Sequence, residues 1–297
     1  TLLVHGTEEQ KKRFLPPIFS AEEIWCQGFS EPGAGSDLVS LQTSAVKDGD
    51  NWIINGSKVW TSLGAISSWM LLLARNDKGD KYNGITYFLA DMAQEGMTVR
   101  PIHKMTGESG FNEVFMENLV IPDHHRVDEV GAGWKVAMST LTSERGAAAG
   151  VGAVASSESP LTAILQLIEL AKTTKRNGVA VWDEPVARNR IVNLYIRIEA
   201  IMQNARRTRV RALNGGSMRL PLQGKVVGSE IAQELNELAL SVLGLKSSLY
   251  VGDEHAIDDG KWALGYMNTY TGTISGGSSE IQRNILGERV LGLPKTK

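Results

Sequence analysis

The chain has 297 residues, of which 42% are hydrophobic and 22% charged, with a formal net charge of −2. That length accommodates two ordinary domains, and the near-neutral balance argues against a nucleic-acid footprint or a polybasic membrane patch. The longest apolar stretch, Trp69 to Ala74, is too short to span a bilayer, and the single cysteine, Cys26, excludes an intrachain disulfide and reads as a core residue in a reducing compartment.

Thr7-Glu8-Glu9-Gln10 predicts a capping box that opens a basic amphipathic helix over 7–16 and stops before Pro16-Pro17. From about Trp25 to Ile121 the pattern turns strand-like. Asn55-Gly56 between two β-prone runs predicts a hairpin turn. Further strands are expected over 69–75, 85–90, 97–101 and 113–121, separated by Asp-, Gly- and Asn-bearing loops. Short strands without alternating helices predict an antiparallel sandwich or barrel and argue against a parallel nucleotide-binding sheet.

After Gly131-Ala132-Gly133 the spacing becomes helical. Ile191, Leu194, Tyr195, Ile198, Ile201 and Met202 recur at three- and four-residue steps, as do Val227, Ile231, Leu235, Leu238 and Val242. Runs over 164–170 and 281–291 add two helices, the segment 179–185 reads as a loop that Pro185 ends, and the stripes predict an antiparallel bundle. The fold class is therefore α+β, a β-sandwich or barrel followed by a helical bundle. A basic cluster at Arg206, Arg207, Arg209 and Arg211 reads either as a solvated helix face or as a site for phosphates or a partner subunit.

Three segments carry chemical signals. In Phe29-Ser30-Glu31-Pro32-Gly33-Ala34-Gly35-Ser36-Asp37, Gly33 and Gly35 allow a ligand close to the backbone, and Ser30 and Ser36 offer hydroxyls. In Asn55-Gly56-Ser57-Lys58-Val59-Trp60-Thr61-Ser62, the side chains of Trp60 and Ser62 lie two apart on a strand and share a face. In Ser275-Gly276-Gly277-Ser278-Ser279-Glu280-Ile281-Gln282-Arg283, a Gly-Ser turn leads into the last helix. A structural loop, a packed aromatic and a helix cap are the plain alternatives for the three.

Taken together and in this order, the segments resemble the signatures of the acyl-CoA dehydrogenase family: Glu31-Pro32-Gly33-Ala34-Gly35-Ser36-Asp37, Asn55-Gly56-x-Lys58-x-Trp60 and Gly277-x-x-Glu280-Ile281-Gln282-Arg283. The resemblance extends over nearly the whole chain, including Trp134 at a helix start and the Gly287-Glu288-Arg289 ending. It implies a middle flavin-binding β-domain over 25–130, a C-terminal helical domain over 131–297, and, in 1–24, the end of an N-terminal helical domain. Family chains begin with such a domain of about a hundred residues, and a start at Thr1 leads to the expectation that more chain precedes.

The resemblance also implies FAD as cofactor, an acyl-CoA substrate, and removal of an α-proton while a β-hydride passes to flavin N5. Phe29, Ser30, Gly35 and Ser36 fall on positions holding the flavin pyrimidine edge and pyrophosphate. Trp60 matches the tryptophan stacked on the flavin, and Ser62 the usual threonine hydroxyl bonded to N5. Ser278 and Glu280 match positions near the adenosine diphosphate.

In many members the catalytic base is a Glu at the position of Gly276, a side chain that cannot act as a base. A second group, including isovaleryl-CoA dehydrogenase, carries that Glu on a helix directly before an Arg, and Glu144-Arg145 match it. Glu144 is therefore the expected base, with an exposed helical ion pair as the plain alternative. The backbone N–H of Gly276 and a ribityl hydroxyl would bond the thioester oxygen. Arg176 is a displaced substitute for the arginine that reaches a neighbouring subunit's FAD, and Leu243-Gly244-Leu245-Lys246 replaces the usual Gly-Gly-x-Gly. Similar changes mark bacterial relatives with steroid-like substrates. The expected electron acceptor is an electron-transfer flavoprotein, with an oxygen-using oxidase of the same fold as rival. A homo-oligomer (dimer or tetramer) or a heteromeric complex is expected, as is a cytoplasmic or mitochondrial-matrix location. A non-catalytic partner subunit is the alternative that Gly276 motivates.

Overall fold

A computed structural model describes residues 1–148, 159–208, 210 and 219–295. The chain divides into two compact units, Thr1–Ser143 and Glu144–Lys297.

The first unit opens with helix α1 (Leu2–His5) and helix α2 (Glu8–Phe19). The capping box forms as expected: the Gln10 N–H donates to Thr7 Oγ1 at 3.2 Å, and the Thr7 N–H donates to Gln10 Oε1 at 3.1 Å. The helix nevertheless runs through Pro16 and Pro17 to Phe19, so the predicted stop was placed too early. Proline's fixed φ suits a helix, and what it removes is a donor. The carbonyls that lose those donors belong to Lys12 and Arg13, both exposed residues, so no core group is stranded by the loss.

Eight strands follow in one sheet: β1 (Trp25–Gly28), β2 (Ser44–Asp48), β3 (Asn51–Ser62), β4 (Trp69–Arg75), β5 (Ile85–Asp91), β6 (Met97–Ile102), β7 (Phe111–Pro122) and β8 (Arg126–Val127). The path is β6-β7-β3-β2-β4-β5-β8, with β1 beside β4. Antiparallel pairs dominate, but β1 runs parallel to β4, and β2 touches β4 in parallel at Ser44 and Arg75.

Strands β4 and β5 bury both faces. Trp69 and Leu73 of β4, with Ile85, Tyr87 and Leu89 of β5, pack in one cluster with Phe14, Phe29, Val136 and Ala137. Their alternates Met70, Leu72, Ala74, Phe88 and Ala90 pack in a second cluster with Trp52, Ile54, Val114, Met116, Leu119 and Ile121. Each fully buried side chain of this size stabilises by about 1.5–3 kcal/mol. The period of two thus divides a continuous apolar run between two cores.

The Asn55-Gly56 pair is not a turn. Strand β3 is continuous through it, and the hairpin turn lies earlier, at Gly49-Asp50, where Asp48 faces Asn51. Asn55-Gly56 instead faces a bulge in β7, where Glu117 and Asn118 both stand opposite Asn55 between the pairs Ile54–Leu119 and Gly56–Met116. Asn55 Oδ1 accepts the Asn118 N–H at 2.8 Å, and Asn55 Nδ2 donates to Asn118 Oδ1 at 3.2 Å. The bulged strand takes its positive φ at Asn118, +50°, while Gly56 opposite has φ +149°.

Helix α3 (Gly133–Ala148) follows. The second unit contains α4 (Pro160–Thr173), α5 (Pro185–Thr208), α6 (Arg219–Leu243), α7 (Lys261–Ile274) and α8 (Ser279–Ile285), the last continued by a π-type turn. The predicted stripes are its core: Ile191, Leu194 and Ile198 of α5 meet Ile231, Leu235, Leu238 and Val242 of α6, with Ile164, Leu167 and Trp262. The segment read as a loop over 179–185 contains a two-residue strand, Val179–Ala180, paired with Lys175–Arg176. Asn177 and Gly178, with φ +52° and +82°, make the tight turn between them. No helix among the described residues is long and apolar enough to cross a membrane.

Candidate functional site

Two groups of predicted residues occur, one in each unit. In the first, the loop over 29–37 lies against β3. Phe29 is buried edge-on to Tyr87, with ring centroids 5.9 Å apart, while Gly35 and Ser36 are exposed. Added Cβ atoms at Gly33 or Gly35 would meet nothing within 4 Å. The backbone of Glu31 bonds to that of Ala34 in both directions at 3.0 Å, and the Val59 N–H donates to the Ser30 carbonyl at 2.9 Å.

At the end of β3, Trp60 and Ser62 share the outward face while Thr61 between them is buried. The indole is 59% exposed, unusual for so large an apolar surface, and touches Phe111 edge-on at 6.0 Å. Trp60 has φ +61° within a second register shift, between Lys58 and Thr61. That conformation costs about 1–2 kcal/mol for a residue with a Cβ and must be imposed by surrounding structure. Beneath this face the Asn112 amide donates to the Thr61 carbonyl at 3.0 Å, while Thr61 Oγ1 and Asn112 Oδ1 are buried without a hydrogen-bond partner.

Sequence reasoning quoted Glu31 and Lys58 inside motifs but did not pair them. Lys58 is completely buried, and its ammonium donates to Glu31 Oε1 at 2.8 Å and to the Phe29 carbonyl at 3.2 Å. Burial lowers Lys58 to about 8, against the opposing pull of Glu31. Burial pushes the Glu31 carboxyl up, but the Lys58 charge and hydrogen bonds from Lys58, Thr43 and Gln42 outweigh it and hold the group below the usual carboxylate range. The signal that could have found the pair was Lys58, the single cation of 55–62, set against a carboxylate, Glu31, in a glycine- and hydroxyl-rich loop.

In the second unit, Gly276 and Gly277 have φ +61° and +87°. Gln282 Nε2 donates to the Gly276 carbonyl at 2.7 Å and Lys225 Nζ to the Gly277 carbonyl at 2.6 Å. A Cβ at Gly277 would lie 2.6 Å from Gln282 Nε2, so the turn needs glycine there. Ser278 caps α8 by accepting the Ile281 N–H at 3.3 Å. Glu280, exposed in the first turn, is held below the ordinary carboxylate range by its own backbone N–H and the Ser278 hydroxyl. Lys225 and Gln282 were not predicted as part of this turn.

Glu144 lies within α3, and its side chain is outside the described residues, as is that of Arg145. Arg176 is engaged within the chain, donating to Glu184 at 2.7 Å and to the Ser241 carbonyl at 2.9 Å. Leu245 is nearly fully exposed. Arg206 and Arg207 end α5 in solvent, whereas Arg209 and Arg211 lie outside the described residues. Cys26 is a core residue: burial pushes its thiol up to about 11, and its sulfur sits 3.8 Å from that of Met92. Among the described residues no group of His, Cys, Asp and Glu could hold a metal ion.

Comparisons with known proteins agree over almost the full chain. Residues 26–119 match the middle domain of acyl-CoA dehydrogenases and residues 131–291 their C-terminal domain. Acyl-CoA dehydrogenase IpdE1 of Mycobacterium tuberculosis is 41% identical over 300 residues, spanning 99% of this chain and 73% of its own. Acyl-CoA dehydrogenase FadE34 of the same organism is 36% identical over 99% of this chain and 39% of its own. Among solved structures, the ChsE4-ChsE5 complex from Mycobacterium tuberculosis gives a TM-score of 0.86 at 30% identity, covering 99% of this chain and 75% of that one. A steroid ACAD, Tcur3481-Tcur3483, gives 0.86 at 27% identity, covering 99% and 75%.

Proposed function

The chain belongs to the acyl-CoA dehydrogenase family, and on that premise we propose that it oxidises the α,β bond of an acyl-CoA thioester with FAD as cofactor and Glu144 as the α-proton base. The observation that carries the flavin half is the display of Trp60 and Ser62. An exposed indole and a hydroxyl on one face, next to an open glycine loop, suit a planar ring with polar edges and a diphosphate tail.

FAD is the cofactor of this family, and when bound it supplies the hydride acceptor, N5. The chain's own residues bind and orient it. Phe29, Ser30, Gly35 and Ser36 would hold the pyrimidine edge and pyrophosphate, Trp60 would offer its indole face to the ring, and Ser62 would offer its hydroxyl to N5. Ser278 and Glu280 would serve the adenosine diphosphate portion. In domain terms 1–24 closes an N-terminal helical region, 25–130 binds flavin, and 131–297 carries the base.

An α-proton beside a thioester is only weakly acidic, so a positioned base is worth roughly 10²–10⁴-fold in rate. Glu144 is assigned that role because Gly276 has no side chain to fill it. The Gly276 N–H donates to the thioester oxygen, and one such donor is worth about 10²–10³-fold. Lys225 and Gln282, by fixing both carbonyls of that turn, support its conformation.

Because a structural relative is described as a steroid ACAD, the substrate panel runs from straight and branched acyl-CoA thioesters to steroid ones. Each thioester is mixed anaerobically with the FAD-loaded chain, and loss of the oxidised-flavin absorbance is followed. At least one member must bleach it, and a panel that leaves it untouched sinks the dehydrogenase reading. Hydrogen peroxide on admitting air would identify an oxidase, and reduction of an electron-transfer flavoprotein a dehydrogenase. A second reading, a non-catalytic partner subunit, is favoured by Gly276 and by a relative solved as a two-protein complex. A chain that purifies colourless and takes up no FAD alone would support it.

A further inference from the structure

We propose that Lys58 and Glu31 are positioning residues of the flavin site, a buried brace that locks the loop over 29–37 to the strand end presenting Trp60 and Ser62. The inference rests on the flavin-binding reading for its purpose, and on the hydrogen bonds of this chain for its existence.

The loop cannot hold itself by burial. Pro32, Gly33, Gly35 and Ser36 are exposed, leaving Phe29, Glu31 and Ala34 as its buried anchors. Two of those are small or apolar and give no direction. The Glu31 carboxylate gives direction, because donors from two other stretches converge on it. Its Oε2 accepts the Gln42 N–H at 2.6 Å, and its Oε1 accepts the Thr43 N–H at 2.9 Å and the Lys58 ammonium at 2.8 Å. Lys58 also holds the Phe29 carbonyl, and the next residue, Val59, holds that of Ser30. Three consecutive loop residues are thereby tied to two consecutive strand residues.

Immediately beyond that tie the strand breaks register and Trp60 takes a positive φ. Lys58 points inward with no exposed surface while Trp60 points outward at 59% exposure. Lys58 is thus the last inward anchor before the bulge, and Trp60 inherits its position from it. A buried ion pair is a poor source of stability compared with apolar packing of similar volume. Its charged, directional bonds are a good source of fixed geometry, and this one joins the two segments that present ligand-facing groups.

The test uses the full chain with Lys58→Met, Glu31→Gln and the double variant, which removes the brace without stranding a charge. Two readouts are taken: amide hydrogen exchange without FAD, and the FAD dissociation constant. The double variant should fold, exchange about tenfold or more faster over 33–36 and 59–62 while other strands keep their protection, and bind FAD about tenfold or more weakly. A folded double variant with wild-type exchange at those amides and wild-type FAD affinity would overturn the proposal. Should it fail to fold, Glu31→Asp, which keeps the charge but withdraws the carboxylate from its donors, carries the same two readouts and the same criterion. If the wild-type chain binds no FAD, the flavin reading falls, and the exchange readout alone still decides whether the brace exists.

Discussion

Replacing Gly56 with alanine tests whether β3 passes Thr43 in a true close approach opposite the β7 bulge. A Cβ at Gly56 would lie 2.7 Å from the Thr43 Cα and 2.9 Å from its Cβ, inside van der Waals contact with backbone that cannot rotate away. Overpacking of this kind costs about 1–3 kcal/mol, and a φ of +149° adds a strain of order 1–3 kcal/mol for a residue with a side chain. The sum, about 2–6 kcal/mol, is a large part of the 5–15 kcal/mol typical of a folded chain. Gly49→Ala is the control, since its φ is +55° but no atom lies within 4 Å of the added Cβ. It should cost only about 1–2 kcal/mol. Urea unfolding followed by tryptophan fluorescence measures both. With a slope of roughly 1–3 kcal/mol per molar, Gly56→Ala should move the midpoint by about 1 M or more beyond the control. Equal midpoints would show that Thr43 yields freely and that steric fit does not fix this register.

The remaining predictions concern the first unit. Thr7→Ala removes half of the capping box and should lower stability by about 1 kcal/mol in the same denaturation assay. Phe88→Ala, fully buried edge-on to Trp52, should cost about 3–5 kcal/mol, while Phe19→Ala at a 75% exposed position should change little. Asp123 is held well below the ordinary carboxylate range, chiefly by the Arg126 hydrogen bond with help from Lys47 and Trp52. Asp128 is also lowered, because bonds from His5, the Glu129 N–H and Lys135 outweigh the upward push of burial. Carboxylates lowered by folding stabilise fully above their unfolded value, near about 4, and lose that contribution as pH falls through the folded value. Melting temperature should therefore drop steeply below about pH 4, and Asp123→Asn should make the drop shallower; an unchanged acid limb would remove Asp123 from the account.

Where the sequence was legible, one periodicity had one physical outcome. The α5 and α6 stripes became the helical core because apolar side chains at three- and four-residue steps have no other partner-facing arrangement. Asn55-Gly56 was misleading because the same local chemistry serves a turn and a continuous strand that faces a bulge. The choice was made by Asn118, across the sheet and far away in sequence. Helix α7, inside the span expected to be helical, was not marked out as a separate element for a related reason. Where it packs on α6 it uses small residues, Gly265 beside Asn236 and Gly272 beside Ser229, which a hydrophobic pattern does not mark. The parallel pairing of β1 with β4 likewise depends on contacts that no local window contains. At the candidate site Trp60 and Ser62 are both exposed, as a shared strand face would have them. Trp60, however, reaches that exposure through a bulge that parts it from buried Lys58, and this and the Lys58–Glu31 pair required the folded sheet.

The most direct test of the proposed chemistry compares the wild-type chain with Glu144→Gln, both loaded with FAD and mixed anaerobically with a thioester that the wild type accepts. The account predicts equal FAD content and bleaching slowed by roughly 10²–10⁴-fold in the variant. Bleaching at the wild-type rate would contradict it, and the α-proton would have to leave to another base.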